Sequence, residues 1–154
     1  MREIERIADQ LQRAFSGPAW HGPSLSELLA NVAAEQAARK PNAAIHSIWT
    51  LVLHVSAWQD AVRRRLAGEI IDQLPPEQDF PTVKAASPAD WERAKAQLEQ
   101  TFRALHEAIL ALPDSKLYAL VPGKNYDAYF LLHGVIQHNL YHAGQIAVLK
   151  KLPA

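Results

Sequence analysis

The chain is expected to be all-α, a four-helix bundle with a short additional helix, and three observations carry that expectation. Ten prolines divide the 154 residues and leave the long proline-free stretches 1–17, 24–40, 42–74, 89–112 and 123–152. Proline lacks the N–H and clashes with the preceding turn, so long helices belong in such stretches. Most of them carry apolar residues at a 3.6-residue period, and no segment alternates apolar with polar residues long enough for a strand.

The first helix is expected over 3–15. Ile4, Ile7, Ala8, Leu11, Ala14 and Phe15 form its stripe, Arg2, Glu5, Arg6, Asp9 and Arg13 lie outside it, and Ser16-Gly17-Pro18 ends it. Ser24-Leu25-Ser26-Glu27 reads as a capping box opening the short helix, near 24–32. A long helix follows over 45–67, with Ile48, Leu51, Val52, Val55, Trp58, Val62 and Leu66 on one broad face and His46 marking its start. The next spans 88–112, where Ser87 caps, Pro88 takes the first helical position and Asp90 lies three residues after the cap. Its stripe is Trp91, Ala94, Leu98, Phe102, Leu105, Ile109 and Leu112. The last helix, 127–151, turns Leu131, Val135, Ile146 and Leu149 inward and ends in lysines, which the helix dipole favours there. The connections 68–87 and 113–125 are long. The proline-rich IIDQLPPEQDFP has to pack over something or wander, and the order of the helices stays open.

Composition narrows the function. Apolar residues make up 49% and charged residues 21%, the balance of a globular chain. Sixteen Lys+Arg against sixteen Asp+Glu give zero formal charge, which argues against a phosphate-contacting nucleic-acid binder and against a polybasic membrane anchor. With no cysteine, disulfides, thiolate metal sites and cysteine nucleophiles are excluded. No apolar run approaches the ~18–20 residues of a spanning helix, and MREIERIADQ has no signal-peptide core. A single soluble domain over 1–154, in the cytoplasm, is the expectation. Trp20, Trp49, Trp58 and Trp91 read as core or interface bulk, because a base-stacking site would interleave basic residues. Arg63-Arg64-Arg65 reads as a solvated helix end. Phosphate-binding loops, G-x-S-x-G and H-E-x-x-H are absent.

Chemistry can live on the seven histidines, 21, 46, 54, 106, 133, 138 and 142. At roughly 100° per residue, His138 and His142 stand about 40° apart on the inward face of the last helix, while His133 points toward solvent or a partner. Two inward imidazoles one turn apart are expensive unless their nitrogens are satisfied. H-x-x-x-H can present two nitrogens to one metal ion, but hydrogen bonds can also satisfy such a pair, and the pair alone leaves both readings open. His54, mid-helix on the flank of its apolar face, supplies a third inward imidazole at matching depth and tips the balance toward ligation. Three neutral imidazoles leave metal positions open, as catalytic sites do. His21 and His106 default to surface or capping roles.

The stretch LLHGVIQHNLYHAGQIAVLKK, above all Q-H-x-x-Y-H-x-G-Q-I from Gln137 to Ile146, resembles the signature helix of the DinB-like (DinB/YfiT) superfamily. SIWTLVLHVSAWQDAVRRRLAG resembles that family's second helix, and AWHGPSLSELLANVAAEQAARKP the segment before it in one branch. The resemblance implies a four-helix bundle holding one divalent ion, zinc or nickel, through His54, His138 and His142. It also implies a metal-dependent enzyme acting on a small molecule, either an S-transferase using a low-molecular-weight thiol or a related hydrolase. A non-catalytic metal-binding, stress-associated bundle is the alternative. Tyr141 and Gln145 are the near-site candidates, and no carboxylate base is evident. A homodimer is expected, with Trp20, Trp49, Tyr126 and Tyr129 as its aromatic surface.

Overall fold

The computed structural model describes residues 1–84 and 86–152. In chain order its helices are α1 (Glu3–Ser16), α2 (Leu25–Leu29), α3 (Ala34–Ala38), α4 (Ile48–Leu66), α5 (Pro76–Asp79), α6 (Pro88–Leu110) and α7 (Ala128–Leu149), with a 3-10 turn over Asp114–Lys116. Among the described residues only isolated bridges, Ala19 to Gly22 and Leu120 to Asp127, have strand-like pairing.

The four long helices pack as a closed ring. α4 lies against α6 and α7, and α1 lies against the same two, so α1 and α4 are diagonal partners. The stripes read from the sequence form the seam. Ile4, Ile7, Leu11, Leu98, Leu105, Ile109 and Ile146 are all but inaccessible to solvent, and burying each such side chain is worth about 1.5–3 kcal/mol. Phe15 stacks on Phe102 with ring centroids 3.9 Å apart. Trp49 packs against Trp91 at 5.2 Å, and the Trp91 indole N–H donates to the Val32 carbonyl at 2.7 Å. Trp49 is therefore core, not dimer surface. Tyr126 and Tyr129 are half-buried, and of the four aromatics expected outside only Trp20 is fully exposed.

Helix ends follow their caps. Ser47, Ser87 and Asp127 accept from the backbone N–H three residues on. The start of α1 is capped from across the chain, because the Asp114 carboxylate accepts from the Glu3 and Ile4 N–H groups at 3.1 Å each.

The described part of the first long connection, residues 68–80, does pack. Gly68, at φ +100°, ends α4 in a Schellman arrangement: its N–H donates to the Arg65 carbonyl and the Glu69 N–H to that of Arg64. The chain then doubles back, and Arg65 holds it by donating to the Ile71 carbonyl at 2.8 and 3.1 Å and to that of Asp72 at 3.2 Å. Lys124 binds the Asp72 carboxylate at 2.6 Å, tying the second long connection to the first. Helix α5, opened by Pro76, lands against α4. Arg65 is buried, so only Arg63 and Arg64 form the solvated end expected of the arginine run; they pair with Asp60 and Glu69.

Candidate metal centre

Helix α4 delivers His54 from mid-length, and α7 delivers His138 and His142 one turn apart. The three rings converge, with centroids 4.9 Å apart for His54 and His138, 4.6 Å for His54 and His142, and 4.5 Å for His138 and His142. His54 and His142 are buried and His138 is half-buried. One nitrogen from each lies within 4.8 Å of the others, so the group can hold a metal ion.

Hydrogen bonds set the tautomers of His54 and His142. The His54 Nδ1 lies 2.6 Å from the Asp79 carbonyl oxygen and 3.0 Å from Asp79 Oδ1, so Nδ1 carries the proton and donates. That leaves His54 Nε2 as a bare acceptor, 2.9 Å from His138 Nε2. The His142 Nδ1 donates to Gln145 Oε1 at 2.7 Å, which frees its Nε2 as well. Nitrogens held about 2.1 Å from one ion lie about 3.0–3.4 Å apart, close to the 2.9 Å between the Nε2 atoms of His54 and His138. No hydrogen bond fixes the His138 tautomer, because its Nδ1 is buried and unpartnered among the described residues: with the proton on Nε2 it donates to His54 Nε2, and with the proton on Nδ1 all three Nε2 atoms are bare for a divalent ion. The donor set fits such an ion.

The electrostatics agree. Burial pushes the pKa of His54 down, only partly opposed by the hydrogen bond and charge of Asp79. Burial, reinforced by His142 and His54, pushes His138 down to about 3. Burial lowers His142 too, against its hydrogen bond to Gln145. All three are neutral at pH 7, the state ligation needs.

Sequence reasoning missed the most informative neighbour. Asp79, in the α5 turn, is a carboxylate directly behind His54, held in place by the Trp58 indole N–H, which donates to Asp79 Oδ1 at 2.7 Å. It faces the Nδ1 side, away from the converging nitrogens, and so orients His54. Phe80, next in the chain, is sandwiched between His54 and His46 at 4.0 and 4.1 Å with near-parallel rings. A carboxylate followed by an aromatic in a proline-punctuated loop was the available signal, but nothing in its spacing tied it to a histidine. Of the two near-site candidates, Gln145 orients His142, while Tyr141 meets His142 only as a near-perpendicular ring with centroids 5.1 Å apart and is 67% exposed. His133 stands apart from the cluster, yet it does not face solvent: it is half-buried against Tyr129, with Nε2 buried and unpartnered among the described residues.

No helix among the described residues is long and apolar enough to cross a membrane. No curated protein matches the chain. The crystal structure of a conserved protein from Enterococcus faecalis is similar over 98% of this chain and 96% of its own, with a TM-score of 0.72 and 16% identity, a likeness of fold. A family model described as the DinB superfamily matches residues 19–146, and the chain belongs to that superfamily.

Proposed function

We propose that the protein is a divalent-metal-dependent enzyme, with His54, His138 and His142 as the ligands of one zinc or nickel ion and a small molecule as substrate. The convergence of three neutral imidazoles, two of them buried and one half-buried, carries this reading. A bound ion of this kind supplies Lewis acidity, lowering the pKa of a coordinated thiol or water so that it attacks at neutral pH. The chain's own residues do the rest. Asp79 and Gln145 hold the tautomers of His54 and His142, and Phe80 shields the His54 face from water. Among the described residues no carboxylate faces the converging nitrogens as a general base, which favours a nucleophile made acidic by the ion, such as a low-molecular-weight thiol, over one that needs a base. Supporting catalysis over a non-catalytic metal-binding bundle is a cavity reaching His138, because a purely structural site is closed.

Elemental analysis of untagged protein grown with zinc and nickel tests the centre. His138→Ala is expected to lose stoichiometric metal and stay folded, since the four apolar seams remain. His133→Ala is expected to keep the metal, because that ring lies outside the cluster. Metal-free parent protein, or loss from His133→Ala alone, would overturn the proposal. A thiol-transfer screen of the metal-loaded parent then tests the reaction.

A further inference from the structure

Next to the cluster, between α4 and α7, lies a cavity of about 210 Å³. Its walls are mostly apolar: Trp58, Val62, Phe130 and Val135 contribute, and His138 stands at its edge. Its polar end is Arg65, only 5% exposed. Among the described residues Arg65 has no carboxylate at ion-pair distance, whereas its neighbours Arg63 and Arg64 both have one; the nearby Asp72 carboxylate is bound by Lys124. Its Nε and Nη2 donate to the backbone carbonyls of Ile71 and Asp72, and its Nη1 to Tyr126 Oη at 3.3 Å. The guanidinium lies 5.4 Å from the Trp58 ring centre. A second Nη1 proton has no acceptor among the described residues. The Tyr126 hydroxyl, accepting from Arg65, has its own proton to give, and Tyr126 also lines the cavity.

Buried charges are paired as a rule. Here an unpaired cation and a free hydroxyl donor meet at the end of an apolar slot. The slot is smaller than the ~300–1,000 Å³ of drug-sized sites. We propose that it binds a small carboxylate with an apolar body, on the order of ten non-hydrogen atoms. Arg65 and Tyr126 hold the carboxylate, and the body lies against Trp58, Val62 and Phe130 with its far end toward His138. That such a ligand is the substrate rests on the metal-centre reading; that it binds does not.

The probe is phenylacetate, with phenylacetamide as its uncharged counterpart, titrated calorimetrically at pH 7 into chelator-treated protein. Removing metal first excludes carboxylate bound to the ion. Phenylacetate is expected to bind at least about tenfold more tightly than the amide, and Tyr126→Phe to weaken it on the order of tenfold, the worth of one hydrogen bond to a charged group. A Cβ at Gly134, which lines the slot, meets nothing within 4 Å. Gly134→Leu therefore fills the slot on an intact helix and is expected to abolish binding with the far-UV spectrum unchanged. Equal affinity for acid and amide, binding retained by folded Gly134→Leu, or no binding to the chelated parent would overturn the proposal. Metal-free parent protein that binds phenylacetate keeps the slot and removes the metal centre; metal-bearing protein that ignores phenylacetate after chelation does the reverse.

Discussion

Asp79 is where the proposed centre is most exposed to test. Its carboxylate sits 3.0 Å from His54 Nδ1, while its backbone carbonyl, 2.6 Å from the same nitrogen, is the closer acceptor. Asp79→Asn removes the charge but keeps the carbonyl and an oxygen for the Trp58 indole. Loss of an outer carboxylate behind a ligating histidine weakens metal binding about 10- to 100-fold. Because the carbonyl still fixes the tautomer, Asn belongs near the lower end, at about tenfold. Asp79→Ala also strands the Trp58 N–H and frees the α5 turn. It belongs near 100-fold, with about 1–3 kcal/mol of stability lost for the unmet donor. The assay is competition for zinc against a chelator of known affinity, beside denaturant unfolding of the metal-free variants. A second readout needs no metal: the Asp79 charge raises the His54 pKa, so imidazole NMR of metal-free Asp79→Asn should find it lower than in the parent. Parental affinity in Asp79→Asn, or a weaker Asn than Ala variant, would refute the orienting role.

Two other outcomes follow from the geometry. The cluster histidines titrate lower in the fold than in the unfolded chain, whose reference is about 6.5, so the stability they contribute is present above that pH and is lost as pH falls toward their folded values. For His138, at about 3 in the fold, the loss is at most about 5 kcal/mol at 1.36 kcal/mol per pH unit. Unfolding of chelator-treated protein between pH 7 and 5, above the range where carboxylates titrate, should show the decline, and His138→Ala should flatten it; an unchanged slope in that variant would count against the assignment. Self-association as a homodimer stays a proposal, now resting on exposed Tyr118, Leu120, Phe130, Tyr141 and Val148 in place of Trp49, and sedimentation at tens of micromolar giving only the 17.1 kDa chain would end it.

The long helices were legible because proline and periodicity act locally. Of the stripe Trp91, Ala94, Leu98, Phe102, Leu105, Ile109 and Leu112, the first six are the buried face of α6, and Leu112 lies just past its end, half-buried. His138 and His142 were legible as a pair because i,i+4 spacing alone puts them together, and His54 because only one histidine lies mid-helix on α4. Short α3 and α5 escaped, since five and four residues hold too little periodicity, and their helical state comes from packing against α4. Arg65 escaped for a related reason. Three successive arginines spread around a helix, and which one turns inward depends on where the returning chain lays its carbonyls. His133 was misjudged because the helical wheel places α7 against one neighbour, whereas the ring of helices covers more than one side of it. The order of that ring depends on contacts between helices far apart in sequence, which a stripe on one helix does not encode.

The parts that escaped are the ones that set the charge of the site. Three neutral imidazoles bring no charge to a divalent ion, unlike thiolate or carboxylate ligands. Asp79, the nearby anion behind His54, offsets one unit at most and from the far side of the ring. Arg65 then adds a positive charge at the end of the adjoining slot, with no ion-pair partner among the described residues, since the nearby Asp72 carboxylate is bound by Lys124. A chain of zero formal charge would thus concentrate positive potential in one small, poorly solvated place, where it is least screened. Such a site favours anions twice over: a substrate carboxylate at Arg65, and a nucleophile that becomes anionic as it loses its proton. Both demands meet on the connection 68–87. By doubling back from Gly68 it lays Ile71 and Asp72 on Arg65, then Asp79 and Phe80 on His54. Shortening that loop should therefore impair the metal centre and the slot together, whereas Gly134→Leu should impair only the slot.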